Sequence, residues 1–155
     1  MLISFSSAFY KFDFGFLKIV YTDSAVIGIS YKTEIDCENV HSELSDKAAL
    51  QIKEYLNGKR KIFDFSIEMH GTDFQKKVWN ALLKIPYGET RTYKQIAEAI
   101  CNSKACRAVG MANNKNSLMI VVPCHRVIGS NGKLVGYAFG LDIKEMLLEI
   151  EQKNK

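Results

Sequence analysis

The spacing of the apolar residues changes at His70-Gly71, and that change limits the chain to folds in which a sheet precedes a set of helices. Ahead of the break, Phe12, Phe14 and Phe16 alternate with Lys11, Asp13 and Gly15, and FLKIVYT and AVIGISY follow on either side of the turn-like Asp23-Ser24. Alternation puts every second side chain on one face, so three antiparallel strands are predicted. A helix is predicted over 43–56, where Leu44, Ala48, Ile52 and Leu56 recur every fourth residue and Asn57-Gly58 closes the run. One more extended piece, IFDFSI, leads to the break.

Beyond Gly71 the pattern is helical. Thr72-x-x-Gln75 has the form of a capping box, and Phe74, Val78, Leu82 and Ile85 mark one stripe up to Pro86. After the turn Tyr87-Gly88-Glu89, a second capping box, Thr92-x-x-Gln95, opens the short helix YKQIAEAI. Cys101-Asn102-Ser103 separates it from a further helix, KACRAVGMANN. Two short helices joined by a tight turn form a helix-turn-helix. The run LMIVV is expected as a buried strand, Ser130-Asn131-Gly132 as a hairpin turn that would make the arrangement winged, and DIKEMLLEI as a closing amphipathic helix. The fold class is therefore α+β. A small N-terminal α/β domain over 1–70 precedes a helical, winged helix-turn-helix domain over 71–155.

Charge divides at the same place. Residues 1–70 hold eight Lys and Arg against ten Asp and Glu, whereas 71–155 hold thirteen against seven, and 71–141 alone has a net charge of +7. A basic module on an acidic support suits a polyanionic partner; a lopsided solubilising surface is the other reading, and charge alone leaves both open. On the helix 104–114, Ala105, Ala108, Val109 and Ala112 form one stripe, and Arg107, Gly110, Met111 and Asn114 share the other face. Its small residues allow close approach either to a nucleic-acid groove or to a neighbouring helix.

The N-terminal segment MLISFSSAFYKFDFGF has neither a basic start nor an unbroken apolar run, so no signal peptide or membrane span is expected. Cys37, Cys101, Cys106 and Cys124 contain no CxxC pair, which points to reduced thiols in a cytoplasm. A zinc site is not expected: the remaining ligands, Cys37, His41 and His70, lack a knuckle spacing. No cofactor is expected, and the chain is expected to act as a monomer.

The string Val121-Val122-Pro123-Cys124-His125-Arg126-Val127-Ile128-Gly129 carries the chemistry. The thiolate is the reactive form of cysteine, and an imidazole nearby favours it. In an extended chain neighbouring side chains diverge, so a relay from Cys124 to His125 needs a water, or a kink from Pro123. A third group should orient the imidazole, and the last helix offers Glu149 and Glu151 among its carboxylates. A papain-like hydrolase is disfavoured, because its cysteine precedes its histidine by a long stretch at a helix start.

From about Thr72 to Glu151 the chain resembles the O6-alkylguanine-DNA alkyltransferases, the methylated-DNA–protein-cysteine methyltransferases. The matching stretches are FQKKVW, IPYGETRTYKQIA, RAVGMANNKN, IVVPCHRVIGSNGKLVGYAFG and KEMLLEIE, and FGFLKIVYTDSAVIGISY resembles the family's small front domain. The resemblance implies repair by direct reversal. The alkyl group of an O6-alkylguanine, and of O4-alkylthymine, in double-stranded DNA passes irreversibly to Cys124 after the nucleotide is flipped out. It also implies the roles. His125 deprotonates Cys124 through a water, and Glu151 holds His125. Tyr93 faces the flipped base and protonates the leaving guanine, and Asn116 braces the active-site turn. Arg107 is the finger that fills the stack, with Thr92, Ala105, Ala108, Gly110 and Arg126 as the other DNA contacts. Val127, Tyr137 and Ala138 line the base pocket. Ser103 and Ser117 stand where the family often has proline, Phe139 stands where it often has glycine or tryptophan, and Cys106 has no family role. Relatives that sense lesions without repairing them lack the acceptor cysteine, and a plain winged-helix regulator needs no Cys-His-Glu set.

Overall fold

The computed structural model describes residues 4–155; the first three residues of the segment read for a leader lie outside that range. The chain forms two compact units, one of the residues up to His70 with Ser117–Met119, the other of Gly71–Asn116 with Ile120–Lys155. No helix among the described residues is long and apolar enough to cross a membrane.

In the first unit β1 (Ser6–Phe12), β2 (Gly15–Tyr21) and β3 (Val26–Lys32) form an antiparallel sheet in that order. The alternation at Phe12, Phe14 and Phe16 does not mark a strand. It crosses the β1–β2 turn, where Phe12 pairs with Gly15 and Phe14 stacks on Phe12. β1 begins earlier, at Ser6, where the buried Ser7 and Ala8 are too small to announce a strand. The α1 helix (Glu43–Leu56) starts at a capping box between Ser42 and Ser45. It packs on β2 and β3, with Ala48, Ile52 and Tyr55 buried together with Leu17, Ile19 and Ile29, while Leu44 and Leu56 lie at its edges.

The free edge of β3 is taken by two short pieces running parallel to it. Val26 bridges Ile67, and Ile29 bridges Leu118. Single bridges are all that IFDFSI and LMIVV contribute to the sheet. The expected strand over 118–122 is absent: Met119, Ile120 and Val121 turn, and Ile120 lies in the left-handed region at φ 73°. The apolar run reported burial correctly, but burial does not set backbone conformation.

The second unit holds α2 (Asp73–Leu83), α3 (Tyr93–Ala99), α4 (Cys106–Asn114) and α5 (Leu141–Asn154). Both expected capping boxes form, Thr72 with Gln75 and Thr92 with Gln95. α2, α3 and α4 pack on one another around Val78, Trp79, Leu82, Ile96 and Val109, and the Trp79 indole donates to the Ala112 carbonyl at 2.9 Å. Gly71 is needed there, since a Cβ would come within 2.5 Å of the Trp79 ring. The turn between α3 and α4 is closed by Ala105 N–H donating to Asn102 O at 3.0 Å, and α4 has no side-chain cap at its start. β4 (Arg91–Thr92) and β5 (Val127–Ile128) pair in parallel, which ties the entrance of α3 to the segment after Cys124. The Ser130-Asn131-Gly132 turn is closed by hydrogen bonds, yet residues 133–137 form no strand. The expected wing is therefore a turn and a loop.

Candidate active site

Cys124, His125 and Arg126 occupy a single turn of 3-10 helix after Pro123, not the extended chain expected of their neighbours. The turn follows the left-handed Ile120, so the chain arrives already bent. Consecutive side chains then splay round an axis, and all three point into the unit: Cys124 is 3% exposed, His125 0% and Arg126 7%.

Asn116 fixes the thiol. Its Nδ2 donates to the Val122 carbonyl at 2.9 Å and to Cys124 Sγ at 3.2 Å. Burial raises the pKa of Cys124 above the ordinary 9.0, against the opposing pull of the Asn116 hydrogen bond and the Lys144 charge. At rest the group is a thiol, and a base must take its proton before it can attack.

His125 meets that requirement. Its Nε2 lies 2.6 Å from Glu151 Oε2. Glu151 also accepts Nε and Nη2 of Arg126 at 2.8 and 3.0 Å and the Gly88 N–H at 3.1 Å, while Arg126 Nη1 donates to the Ile85 carbonyl at 2.7 Å. Gly88 sits at φ 82°, where a Cβ would also strike Lys155 at 2.8 Å; a glycine alone delivers its amide there. The guanidinium neutralises the carboxylate, and burial holds the imidazole below its ordinary 6.5 despite Glu151. His125 is thus neutral with Nε2–H donated to Glu151, which leaves Nδ1 as the basic nitrogen.

Tyr93, the first residue of α3, donates its hydroxyl to the Val135 carbonyl at 2.8 Å. Burial and the nearness of Cys124 raise its pKa above 10.0, so it remains a phenol and a proton donor. Burial raises Tyr137 likewise, and its hydroxyl is buried with no hydrogen-bond partner. Lys144, fully buried on α5, holds the carbonyls of Val135 and Gly136 at 3.2 Å each. Burial lowers its pKa from 10.5, and Cys124 opposes that shift.

The residues selected from sequence fall into three groups. Asn116 is hydrogen-bonded to Cys124 and His125 to Glu151, and Tyr93 and Tyr137 lie within electrostatic reach of the thiol. Arg107 is exposed on α4, Ala108 and Gly110 are half-buried beside it, Ala138 is exposed, and Thr92 caps α3. Val127 is fully buried in β5. One expectation needs correction: the Arg126 side chain, expected at the DNA, is buried and committed to Glu151 and Ile85. Ala105, expected as a DNA contact, stands 9% exposed just before α4. Sequence reasoning missed Lys144, although Lys144, Leu147 and Glu151 share the buried face of α5 at helical spacing. No cluster of three or more metal-ligating side chains exists among the described residues.

Residues 73–153 match the family model described as the DNA-binding domain of 6-O-methylguanine DNA methyltransferase. The chain is 60% identical over 108 residues to a methylated-DNA–protein-cysteine methyltransferase of Methanosarcina barkeri, covering 70% of this chain and 68% of that one. Its structure is similar to the O6-methylguanine methyltransferase of Mycobacterium tuberculosis, with a TM-score of 0.87, 38% identity and coverage of 98% and 95% of the two chains. The Mycobacterium tuberculosis OGT solved in complex with DNA is equally similar, at a TM-score of 0.87, 39% identity and coverage of 96% and 93%.

Proposed function

This chain belongs to the methylated-DNA–protein-cysteine methyltransferase family, and from that premise we propose that it repairs O6-alkylguanine in double-stranded DNA by drawing the alkyl group onto Cys124. One observation carries the reading. The buried thiol, held by Asn116, stands in the same turn as a buried histidine whose orientation is fixed by a charge-balanced carboxylate.

The steps follow from those groups. A buried thiol reaches O6 only when the nucleotide leaves the stack, at a cost of a few kcal/mol. Arg107, exposed on α4, fills the gap it leaves. His125 takes the Cys124 proton through a water and becomes an imidazolium against Glu151. The thiolate, with the Lys144 ammonium nearby, attacks the alkyl carbon. The S–C bond forms as the C–O6 bond breaks, and Tyr93 gives its proton to the departing guanine. The thioether is not hydrolysed, so each molecule acts once. O4-alkylthymine fits the same steps. The four free cysteines suit the reducing cytoplasm proposed as its compartment.

The test is intact-protein mass after incubation with a duplex containing O6-methylguanine. One methyl group per protein, mapped to Cys124, is expected. Turnover beyond one equivalent, or a methyl group on Cys37, Cys101 or Cys106, overturns the reading.

A further inference from the structure

Asn113 lies on α4, one turn beyond Gly110, and is only 7% exposed. Neither its Nδ2 nor its Oδ1 has a partner at full hydrogen-bonding distance and angle, and the Tyr93 hydroxyl is the group its amide interacts with. Buried amides are almost always paired, so one without a full partner marks a group whose pairing is completed later. Its neighbour is the Tyr93 phenol. The ring edge of Tyr93 adjoining the hydroxyl lies 3.8 Å from the position of a Cβ on Gly110, so the phenol runs along α4 toward the next turn, where Asn113 stands. The amide is close enough to oppose the rise in the Tyr93 pKa. The hydroxyl proton is given to the Val135 carbonyl, which leaves the lone pairs of Oη open to the amide.

We propose that Asn113 is a positioning residue for Tyr93: its amide N–H pairs with Oη once the hydroxyl turns from Val135 to the extruded base, and holds the oxygen as its proton leaves. The proposal rests on Cys124 being the alkyl acceptor and Tyr93 the proton donor. In that step the C–O6 electron pair passes to guanine, the Oη proton moves to the departing base, and the resulting phenolate regains, through water, the proton that His125 took from Cys124. A phenolate oxygen formed in a buried site needs a donor. Val135 offers only an acceptor, and the buried Asn113 amide is the donor within reach of the phenol. Such a donor acts on proton transfer, not on DNA binding.

Single-turnover rates of methyl transfer test this with three variants. Asn113→Leu should slow transfer roughly tenfold while leaving affinity for the duplex nearly unchanged. Placed in a Tyr93→Phe protein it should add almost nothing, since the oxygen it serves is gone. Asn113→Asp keeps the shape but exchanges the donor for a carboxylate, whose charge opposes the phenolate. Its rate relative to wild type should rise as the pH is lowered from about 8 to about 5, because the protonated acid can donate again. The same ratio for Asn113→Leu should stay flat. A merely structural role gives a flat ratio for both variants and an undiminished Asn113→Leu effect in the Tyr93→Phe protein, and either result overturns the proposal. One measurement needs no substitution at Asn113. In 15N-labelled Cys124→Ser protein bound to an O6-methylguanine duplex, the Asn113 side-chain amide should shift downfield and exchange more slowly, and an unmoved resonance overturns the proposal as well. If wild-type protein methylates Cys124 while these signatures are missing, this inference fails alone. If wild-type protein is never methylated, the function assigned to Cys124 fails with it.

Discussion

Glu151 is one carboxylate serving His125, Arg126 and the Gly88 amide, and it is 1% exposed. A charge so placed is tolerable only while its counter-ion remains. Arg126→Met therefore leaves an uncompensated buried carboxylate and should cost roughly 3–5 kcal/mol of stability, measured by urea unfolding. A surface arginine kept for DNA would cost almost nothing, so an unchanged midpoint would show that the pairing is incidental. Residues of this kind mark the limit of what the sequence discloses. Cys124 and His125 were legible from their chemistry, and Glu151 was singled out from Glu149 by the family resemblance. The inward turn of Arg126, the burial of Lys144 and the buried amide of Asn113 were not, since a basic or amide side chain reads as solvent-facing until its neighbours are known.

α4 shows what can be read at the level of an element. Its helical spacing, its buried Val109 and Ala112 and its exposed Arg107 and Met111 all follow from the two stripes. Its uncapped start does not, because that depends on a turn whose form the sequence leaves open. The same limit explains LMIVV and the missing wing, where apolar or turn-forming residues fix burial or reversal without fixing which strand is paired. Arg107 yields a prediction at this scale. If it fills the vacated stack, Arg107→Ala should slow transfer from duplex O6-methylguanine by an order of magnitude or more, roughly the stacking contribution of a planar cation. Reaction with the free base O6-benzylguanine, which has no stack to leave, should be almost unchanged. Arg107→Lys separates stacking from simple charge: a lysine serves a phosphate as well but does not stack as a guanidinium does. Full duplex activity in the Lys variant would remove the finger role.

For the whole molecule the buried site sets a dependence of stability on pH. In the folded chain burial holds His125 below its ordinary 6.5, while the unfolded chain protonates it near that value. Below about pH 6.5 the unfolded state therefore binds the extra proton, and stability must fall as the pH falls, by at most about 1.4 kcal/mol per pH unit for one group, until folded His125 is itself protonated. The depressed carboxyls of Asp36 and Asp64 act in a separate window, since their stabilisation is lost only below the ordinary 3.8. Urea midpoints measured at intervals from about pH 7.5 to about pH 5 should be level at first and then decline below about pH 6.5 in the wild-type protein. His125→Asn removes the titrating group while keeping a polar side chain that Glu151 can hold. Its midpoint is expected to start lower and to run nearly flat through the same interval. The slope, not the absolute stability, decides the matter, because the substitution also disturbs packing around Glu151. An equal decline in the variant would place the proton elsewhere in the fold. It would also remove the argument that His125 rests neutral, ready to accept the proton of Cys124.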